Sequence, residues 1–414
     1  MKFKMNALEK KWVLYDVANS AFTLLIATIM PIYANALATS AGLSNVDYLA
    51  TWGYATSIAT LIVAFSAPIL GTLSDNKGRK KIFFMIAVLI GCLGCTALSF
   101  IGGWIWFLGL YVLTKTAYSL SLVFYDSMLP DVTTDERMDM VSSQGYAWGY
   151  IGSCVPFLVC LGFVLGYESI GISMSTAITI SFAIISIWWL VLTLPLFKAY
   201  KQIHYVEVKE DNPIRSAWSR LGHIFVELKE NRKAFFFLVA FFFYIDGVYT
   251  IIDMATAYGS ALGFGSTSLL LALLLTQIVA FPSAIAFGHM SKKYPTSKLI
   301  LVTIIAYFLI AVYAIFLTQA YQFWILAFCV GIFQGAIQSL SRSYFAKLIP
   351  YEKSGEYFGL YDICGKGAAF MGTFIVSFVS QQTGSMNIGV GCVAFMFIIG
   401  IYFFFKSSKI KQNQ

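Results

Sequence analysis

The sequence predicts an all-α membrane protein with twelve transmembrane helices, arranged as two pseudo-symmetric bundles of six. Three observations lead to this fold class. Hydrophobic residues make up 59% of the 414 residues and charged residues only 12%, which is far from the balance of a soluble domain. The apolar residues form stretches long enough to cross the ~30 Å hydrocarbon core of a bilayer as helices. Short motifs recur at matching places in the two halves of the chain.

Twelve apolar stretches alternate with polar segments along the chain. Each is about as long as the ~20 residues that a spanning helix needs. Lys2, Lys4, Lys10 and Lys11 lead into the first one, which is longer than the apolar core of a signal peptide, so we expect it to remain as a helix. The predicted spans are approximately 12–38, 49–72, 82–101, 104–129, 141–166, 172–197, 233–258, 266–290, 298–318, 320–343, 357–380 and 384–405.

The basic residues predict the orientation of the chain. If the N-terminus is cytoplasmic, all but two of the 28 basic residues lie in cytoplasmic segments or at cytoplasmic helix ends. The two exceptions, Lys115 and Lys366, lie inside predicted helices. Because cytoplasmic loops are enriched in Lys and Arg, we expect a multi-pass protein of the cell or inner membrane with both termini in the cytoplasm. The net charge of +8 reflects these loops, so we expect no nucleic-acid partner.

Two motifs in the first half return in the second half. Residues 66–71 (Ser-Ala-Pro-Ile-Leu-Gly) end the second predicted span, and residues 283–288 (Ser-Ala-Ile-Ala-Phe-Gly) end the eighth. Met128-Leu129-Pro130 follows the fourth span as Leu348-Ile349-Pro350 follows the tenth. A duplicated six-helix unit explains both repeats. The predicted domains are an N-terminal bundle at 1–197, a cytoplasmic linker at 198–232 and a C-terminal bundle at 233–414.

The linker contains a helix start signal. Asp211-Asn212-Pro213 supplies a cap and a first-turn proline, and apolar residues then recur at helical spacing from Ile214 to Leu228. This pattern predicts an amphipathic helix on the inner leaflet. A site for a regulatory partner is the alternative to a simple linker.

The loop between the second and third spans is short and densely charged. It reads Gly71-Thr72-Leu73-Ser74-Asp75-Asn76-Lys77-Gly78-Arg79-Lys80-Lys81. Gly71 lets two helix backbones approach closely, and Gly78 can adopt a positive φ for a chain reversal. Asp75 and Arg79 place an acid and a strong hydrogen-bond donor at helix ends. A positive loop that only fixes the topology is the plainer interpretation.

The order Gly-x-Leu-x-Asp-x-x-Gly-Arg-Lys in this loop resembles the loop between helices 2 and 3 of the major facilitator superfamily of transporters. The resemblance implies that Gly71, Asp75, Gly78 and Arg79 take part in a charge relay that holds the inward gate closed. It also implies the fold of that superfamily, in which two six-helix bundles enclose a central cavity. Asn76 stands where an arginine is usual, so we expect a weaker relay.

Charged residues inside the predicted spans are candidates for function, because a charge at the bilayer centre costs about 2.5–3.5 kcal/mol or more. Most of them lie in the first, fourth, seventh and tenth spans, the helices that line the cavity in the superfamily. These residues are Asp16, Lys115, Asp126, Asp246, Asp253 and Arg342. Asp362 and Lys366 in the eleventh span lie four residues apart, which favours an ion pair within one helix.

Lys115 and Asp246 lie closest to mid-helix and are the main candidates for substrate binding. One cation and one anion suit a zwitterion, with Lys115 meeting a carboxylate or phosphate and Asp246 or Asp253 meeting an ammonium. Alternatively, Asp16 or Asp246 carries a proton. We expect a gating or structural role for Asp126, Arg342, Asp362 and Lys366. Polar residues that share helix faces with these charges complete the predicted binding site, namely Asn19, Thr23, Gln334 and Gln338.

Four stretches indicate one branch of the superfamily. Residues 15–22 (Tyr-Asp-Val-Ala-Asn-Ser-Ala-Phe), 124–130 (Phe-Tyr-Asp-Ser-Met-Leu-Pro), 243–247 (Phe-Tyr-Ile-Asp-Gly) and 334–345 (Gln-Gly-Ala-Ile-Gln-Ser-Leu-Ser-Arg-Ser-Tyr-Phe) are similar to the vacuole-effluxer branch. That branch contains an autophagy-linked amino-acid exporter and many bacterial relatives. The resemblance therefore implies export of an amino acid.

Taken together, these features predict a monomeric secondary transporter that works by alternating access. We expect it to export a small zwitterionic solute such as an amino acid, with proton coupling as an option. A lysophospholipid transporter of the same fold is the first alternative, since aromatic residues make up 17% of the chain. A membrane-embedded enzyme would need clustered His/Asp or Ser/His residues, and a sensor would need a large soluble domain.

The sequence suggests neither a cofactor nor a metal site. The three histidines, His204, His223 and His289, lie far apart, and the seven cysteines all fall in apolar runs, where we expect small buried hydrophobes. A nucleotide-binding loop of the Walker type is not found, which argues against ATP-driven transport. We therefore expect a transporter and not an enzyme, with membrane lipids and a small-molecule or lipid substrate as its partners.

Overall fold

The computed structural model describes residues 3–207, 227–261, 263–264 and 266–410. These residues are almost entirely helical, with short connections and one 3₁₀ turn at Tyr351–Lys353. The helices are α1 (Ala7–Ala27), α2 (Ile29–Ser40), α3 (Asn45–Ser74), α4 (Arg79–Leu98), α5 (Trp104–Ser127), α6 (Leu129–Val132), α7 (Asp135–Ile170), α8 (Met174–Ala199), α9 (Arg232–Ala261), α10 (Ser266–Met290), α11 (Thr296–Ala314), α12 (Ala320–Ala346), α13 (Ser354–Thr383) and α14 (Met386–Lys409).

A long helix occupies each of the twelve predicted positions. Eleven segments, with α1 and α2 counted as one, are long and apolar enough to cross a membrane. The twelfth is α13, whose 30 residues extend over about 45 Å. It carries Glu356 and Asp362 and packs among α3, α9 and α14. The predicted all-α fold with twelve transmembrane helices is confirmed.

Two predicted helix starts lie furthest from the observed ones. The first span begins at Ala7 and is interrupted at Thr28, between α1 and α2. Pro31 explains the break, because its ring clashes with the carbonyl group four residues earlier, at Ala27. The fifth span begins at Asp135 and not at residue 141, with acidic residues in its first turn, where they favour a helix start. The amphipathic helix predicted after Pro213 lies outside the described residues.

The packing follows the internal repeat. Among α1–α8, which we call the N-terminal half, α1 packs on α7 and α8, and α4 packs on α5 and α8. Among α9–α14, the C-terminal half, α9 packs on α13 and α14, and α10 packs on α12. Across the halves, α3 packs on α13 and α10 packs on α7. The second long helix of each half therefore lies against the fifth of the other, as expected for a duplicated unit.

The halves are joined by polar contacts at one end of the bundle. We call this end the terminal face, because α1 begins there and α14 ends there. Asp139 on α7 accepts a hydrogen bond of 2.7 Å from the Ser343 hydroxyl and forms an ion pair of 2.8 Å with Lys347. The Tyr351 hydroxyl donates to Asp135 across the same boundary. The structure is therefore closed at the terminal face.

Near the terminal face, α3 and α13 meet backbone to backbone at Gly71, Gly355 and Gly359, which we call the glycine seam. A Cβ atom on Gly71 would lie 2.2 Å from the Gly355 carbonyl oxygen. One on Gly359 would lie 2.8 Å from the Ala67 carbonyl oxygen. Any side chain here would push two backbones apart. The close helix approach predicted for Gly71 is confirmed.

Gly71→Ala is expected to destabilise the protein by about 1–3 kcal/mol, the usual cost of overpacking. Gly53 provides a matched control on the same helix, because a Cβ atom there would meet nothing within 4 Å. Gly53→Ala is expected to stabilise slightly, by up to about 1 kcal/mol, from helix propensity alone. Thermal unfolding of both purified variants measures the contrast. Equal unfolding temperatures would contradict the close packing at Gly71.

Candidate functional site

The loop after α3 binds the start of α13. The Asp75 carboxylate accepts hydrogen bonds from the backbone N–H groups of Gly355 and Glu356, at 2.8 and 2.9 Å. These are first-turn N–H groups of α13, which have no partner within their own helix and favour an anion. The contact joins the N-terminal half to the C-terminal half. Burial raises the pKa of Asp75, and Lys80 and the two N–H donors offset this only in part.

Lys80 provides the positive charge of this contact. Its Nζ atom lies 3.2 Å from Asp75 Oδ1 and donates to Ser354 Oγ at 2.7 Å. Its side chain is fully buried. We call Asp75, Lys80 and the Ser354-Gly355-Glu356 turn the latch. Because it bonds both halves at the terminal face, it can form only when that face is closed.

The loop of Asp75 and Arg79 was predicted to pair with helix ends, and Asp75 does so at the start of α13. The Arg79 side chain is exposed, whereas Lys80 forms the ion pair with Asp75. Gly78 has a φ of +73°, as predicted, and α4 begins directly after it. Because α4 begins at Arg79, its second residue, Lys80, points into the protein and its first residue does not. Three consecutive basic residues in the sequence do not show which of them is buried.

The first residues of the linker lie against the latch. The Val206 N–H donates to the Asp75 carbonyl oxygen at 2.9 Å. Gln202 donates from its side chain to the Ser74 carbonyl oxygen at 3.3 Å. Asp131, in the short helix α6, accepts hydrogen bonds from the Tyr200 hydroxyl and from the backbone N–H of His204. These contacts hold the linker start against the N-terminal half, and none of them was predicted from the sequence.

A second polar contact between the halves is centred on Arg342. Its guanidinium donates to Asp126 Oδ1 at 2.9 Å and to Asp16 Oδ2 at 3.1 Å. It also donates to the Ser142 hydroxyl at 2.9 Å and to the Ser142 carbonyl oxygen at 3.1 Å. Arg342 is only 1% exposed. One arginine of α12 thus holds α1, α5 and α7 of the other half.

Aromatic rings and a glycine shape the surroundings of Arg342. The guanidinium carbon lies 4.3 Å from the centre of the Tyr146 ring and 4.6 Å from the Trp12 ring, distances that suit cation–π contacts. A Cβ atom on Gly145 would lie 2.1 Å from Asp16 Oδ2. Because Gly145 has no side chain, the ion pair of Asp16 with Arg342 has the space that it needs. Sequence reasoning missed Ser142, Gly145 and Tyr146, because only their position opposite Arg342 shows their role.

Lys115 and Asp253 face the space between the halves. Asp253 on α9 is exposed and Lys115 on α5 is half-buried, and the two opposite charges lie within electrostatic range of each other across the halves. Thr23 is exposed on the same side of α1 and hydrogen-bonds the Tyr118 hydroxyl at 2.6 Å. We call the region bordered by these four residues the central space. With the terminal face closed, water reaches it from the opposite face.

Asp246 lies outside the central space. It is completely buried, and its Oδ1 atom accepts a hydrogen bond of 3.0 Å from the Gly372 N–H of α13. Its Oδ2 atom has no hydrogen-bond partner among the described residues. The structure therefore brings Asp253, and not Asp246, together with Lys115. In this conformation Asp246 sits within the C-terminal half. No described side chain places a cation beside it, and an unpaired carboxylate is expensive to bury.

The other candidate residues occupy several environments. Asn19 is buried and donates to the Tyr15 carbonyl oxygen of its own helix at 2.9 Å. Gln338 accepts a hydrogen bond of 2.8 Å from Tyr150 across the halves, and Gln334 is also buried. Asp362 is half-buried. The Lys366 side chain lies outside the described residues, so its predicted pairing with Asp362 stays a prediction.

Comparisons with known proteins agree with this architecture. A family model described as "Vacuole effluxer Atg22 like" matches residues 7–413. The chain is 41% identical to the "Uncharacterized MFS-type transporter YxiO" of Bacillus subtilis over 398 residues, which is 95% of this chain and 93% of that protein. It is 21% identical to "Autophagy-related protein 22" of Eremothecium gossypii, covering 88% of this chain and 78% of the relative.

Solved structures show the same fold. The transporter FucP in its outward conformation matches with a TM-score of 0.71 at 14% identity, covering 98% of both chains. A bacterial homologue of the iron transporter ferroportin in an outward-facing state also reaches 0.71, at 13% identity, covering 98% of this chain and 99% of that one. At such identities the likeness concerns the fold alone. From the family match and the relative in Bacillus subtilis, the chain belongs to the Atg22-like vacuole effluxer family of major facilitator superfamily transporters.

Proposed function

We propose that this transporter moves a small zwitterionic solute, such as an amino acid, by alternating access, as a monomer. The observation that carries the proposal is that Lys115 and Asp253, on different halves, lie within electrostatic range of each other across the central space. The ammonium of Lys115 suits a carboxylate, and the carboxylate of Asp253 suits an ammonium group. Because the two residues belong to different halves, a zwitterion between them would interact with both halves at once.

Binding between the halves suits the alternating-access cycle. In this conformation the latch and Arg342 close the terminal face. Rocking of one half against the other would break these contacts and open the central space at the terminal face. A solute that bridges Lys115 and Asp253 binds best to the conformation in which the distance between the two side chains matches the length of the solute. Only such a difference in affinity can shift the equilibrium between the two conformations.

The terminal face is proposed to be cytoplasmic, because the basic residues concentrate in its loops. The structure then has the central space open to the outside. The description of the matching family as a vacuole effluxer favours export, with solute entering from the terminal face and leaving by the opposite one. Proton return is a suitable driving force, with Asp16 and Asp246 as candidate carriers.

Exchange of radiolabelled amino acids in proteoliposomes tests the substrate class. Lys115→Ala and Asp253→Asn are each expected to lower exchange about 10- to 100-fold, since one charge-assisted hydrogen bond to the solute is worth roughly 1.5–3 kcal/mol. Lys293→Ala and Glu230→Gln are matched controls, because both side chains are exposed at the terminal face. We expect wild-type exchange from the controls.

The same vesicles test the lipid alternative. A lysophospholipid headgroup is also zwitterionic, so the charges alone do not exclude it. Saturable movement of a labelled lysophosphatidylcholine without amino-acid exchange would overturn the proposed substrate. Full amino-acid exchange in both Lys115→Ala and Asp253→Asn would remove the central pair from the binding site.

A further inference from the structure

The two helix ends that carry the latch need hydrogen-bond partners. α3 ends at Ser74 and α4 begins at Arg79. The last carbonyl groups of one helix and the first N–H groups of the other therefore have no partner within their own helix. Asp75 directly follows the end of α3, and Lys80 is the second residue of α4. The positions of both latch side chains thus depend on how these two helix ends are held.

The linker start, residues 200–206, bonds to both helix ends. The Gln202 side chain donates to two backbone carbonyl oxygens at the end of α3, each at 3.3 Å. Its Oε1 atom accepts the Lys80 N–H of α4 at 3.4 Å. The Val206 N–H donates to the Asp75 carbonyl oxygen at 2.9 Å. The linker start therefore supplies partners for backbone groups on both sides of the latch loop.

Asp131 of α6 holds the linker start in place. This acid is almost completely buried. Its Oδ1 atom accepts the backbone N–H of His204 at 2.9 Å and bonds to His204 Nδ1 at 2.8 Å. Its Oδ2 atom accepts the Tyr200 hydroxyl. Because Tyr200 and His204 lie two residues to either side of Gln202, one carboxylate fixes the chain on both sides of the amide that caps the latch helices.

The linker also contacts the C-terminal half beside the latch. The rings of His204 and Tyr351 meet edge to face, with centres 5.3 Å apart, and Tyr351 begins the 3₁₀ turn directly before the latch turn. At the far end of the linker, both Glu227 carboxylate oxygens lie 2.7 Å from Lys353 Nζ. Both side chains of this pair are partly exposed, so it contributes little to stability. It nevertheless places the linker end next to Ser354, on the other side of the latch.

We propose that Asp131 is a positioning residue of the gate and acts through the linker start. It holds Gln202 against the ends of α3 and α4, and these ends then present Asp75 and Lys80 in the geometry that binds α13. Because the loop is already ordered before the terminal face closes, closing it orders fewer groups and costs less conformational entropy. Removing the Asp131 charge loosens the loop, so the latch forms less often.

The N–H groups of Gly355 and Glu356 report on the latch directly, because the Asp75 carboxylate accepts both. Their exchange with deuterium is measured by mass spectrometry on the full-length protein in lipid nanodiscs. Asp131→Asn is expected to speed this exchange about 10-fold, which corresponds to the loss of one charge-assisted hydrogen bond. Amides in the rest of the C-terminal half should exchange as in the wild type.

Two further variants make the measurement specific. Gln202→Ala removes the capping amide and leaves the buried acid intact, so it keeps the test informative if the Asp131 variant folds poorly. Its loss of neutral hydrogen bonds is expected to speed exchange at Gly355 and Glu356 about 3- to 10-fold. Glu136→Gln is the matched control, because it removes an exposed acid from the same face. We expect wild-type exchange from this control.

A double-mutant cycle distinguishes positioning from a general loss of stability. Asp75→Ala removes the acceptor of the two N–H groups and is expected to speed their exchange by itself. If Asp131 acts only through the latch, adding Asp131→Asn to Asp75→Ala should cause no further increase. A further increase as large as in the wild-type background would show that Asp131 acts elsewhere, and would overturn the inference.

The inference rests on the proposed opening of the terminal face, but its test needs no solute. Faster exchange in Asp131→Asn and Gln202→Ala supports it even if amino-acid exchange is not observed, in which case only the proposed substrate fails. Wild-type exchange in both variants, with faster exchange in Asp75→Ala, overturns the positioning role and leaves the latch standing. Wild-type exchange in Asp75→Ala would overturn the latch and the positioning role together.

Discussion

Arg342→Ala is expected to lower the stability of the protein by about 3–5 kcal/mol, the usual cost of removing one partner from a buried ion pair, and to abolish transport. The substitution leaves Asp16 and Asp126 buried together without a cation, and it removes the guanidinium that donates to both. Thermal unfolding of the purified protein measures the first effect. Solute exchange in proteoliposomes measures the second.

A triple substitution separates charge from packing in this experiment. Arg342→Met combined with Asp16→Asn and Asp126→Asn removes all three charges and keeps similar volumes. Most of the stability should return, since replacing a whole buried charge cluster is often neutral, while transport should remain absent. An Arg342→Ala protein with the unfolding temperature of the wild type would show that the cluster contributes nothing to stability.

Lys80→Ala is expected to shift the conformational equilibrium about 10- to 100-fold towards a protein open at the terminal face. The latch would lose the hydrogen bond from Lys80 to Ser354, which crosses the halves, and the ion pair that holds Asp75 within its own half. One charge-assisted contact across the halves is worth roughly 1.5–3 kcal/mol. Spin labels that replace the exposed Lys10 of α1 and Lys293 of the C-terminal half, in a background without the native cysteines, report the shift as a loss of the short-distance population, in which the two labels are close together. An unchanged population would exclude Lys80 from the gate.

Arg79→Ala is the matched comparison for Lys80→Ala, because the two residues are neighbours with the same charge. The family resemblance assigns the gate to Arg79, whereas the structure exposes Arg79 and buries Lys80. We expect the Arg79 variant to keep the short-distance population of the wild type. A shift in Arg79→Ala but not in Lys80→Ala would favour the assignment made from the sequence.

The fold could be predicted because its signals are local and strong. A helix that crosses a bilayer must satisfy its backbone internally and present apolar side chains, and both demands appear in the sequence as long apolar runs. The interruption at Thr28 was missed although Pro31 signals it. A proline near the centre of an apolar run does not by itself distinguish a kinked helix from two helices.

The site could be predicted only to the level of candidate residues. An intramembrane charge is conspicuous in a sequence, and Asp16, Asp126 and Arg342 were all identified on that basis. Whether a charge faces water or a neighbouring helix depends on how its helix is rotated about its own axis. The polar residues of α9 do not determine that rotation. Asp246 and Asp253 lie two turns apart, yet one is buried and the other exposed.

The contacts of the linker start could not be predicted at all. Val206 and Gln202 donate hydrogen bonds to backbone carbonyl groups of residues 74 and 75. Every residue has such a carbonyl group, so the residue types carry no signal of these contacts. Asp131 was not singled out because it lies outside the predicted spans, where an acid is common. Its partners are distant in sequence, so only the folded chain brings them together.

The glycine seam limits the routes by which cargo can leave. Where Gly71, Gly355 and Gly359 bring α3 and α13 into backbone contact, no sideways opening into the bilayer is left between these two helices near the terminal face. An acyl chain could not trail between these two helices while its headgroup stayed inside. In this conformation cargo therefore cannot leave sideways between α3 and α13 near the terminal face.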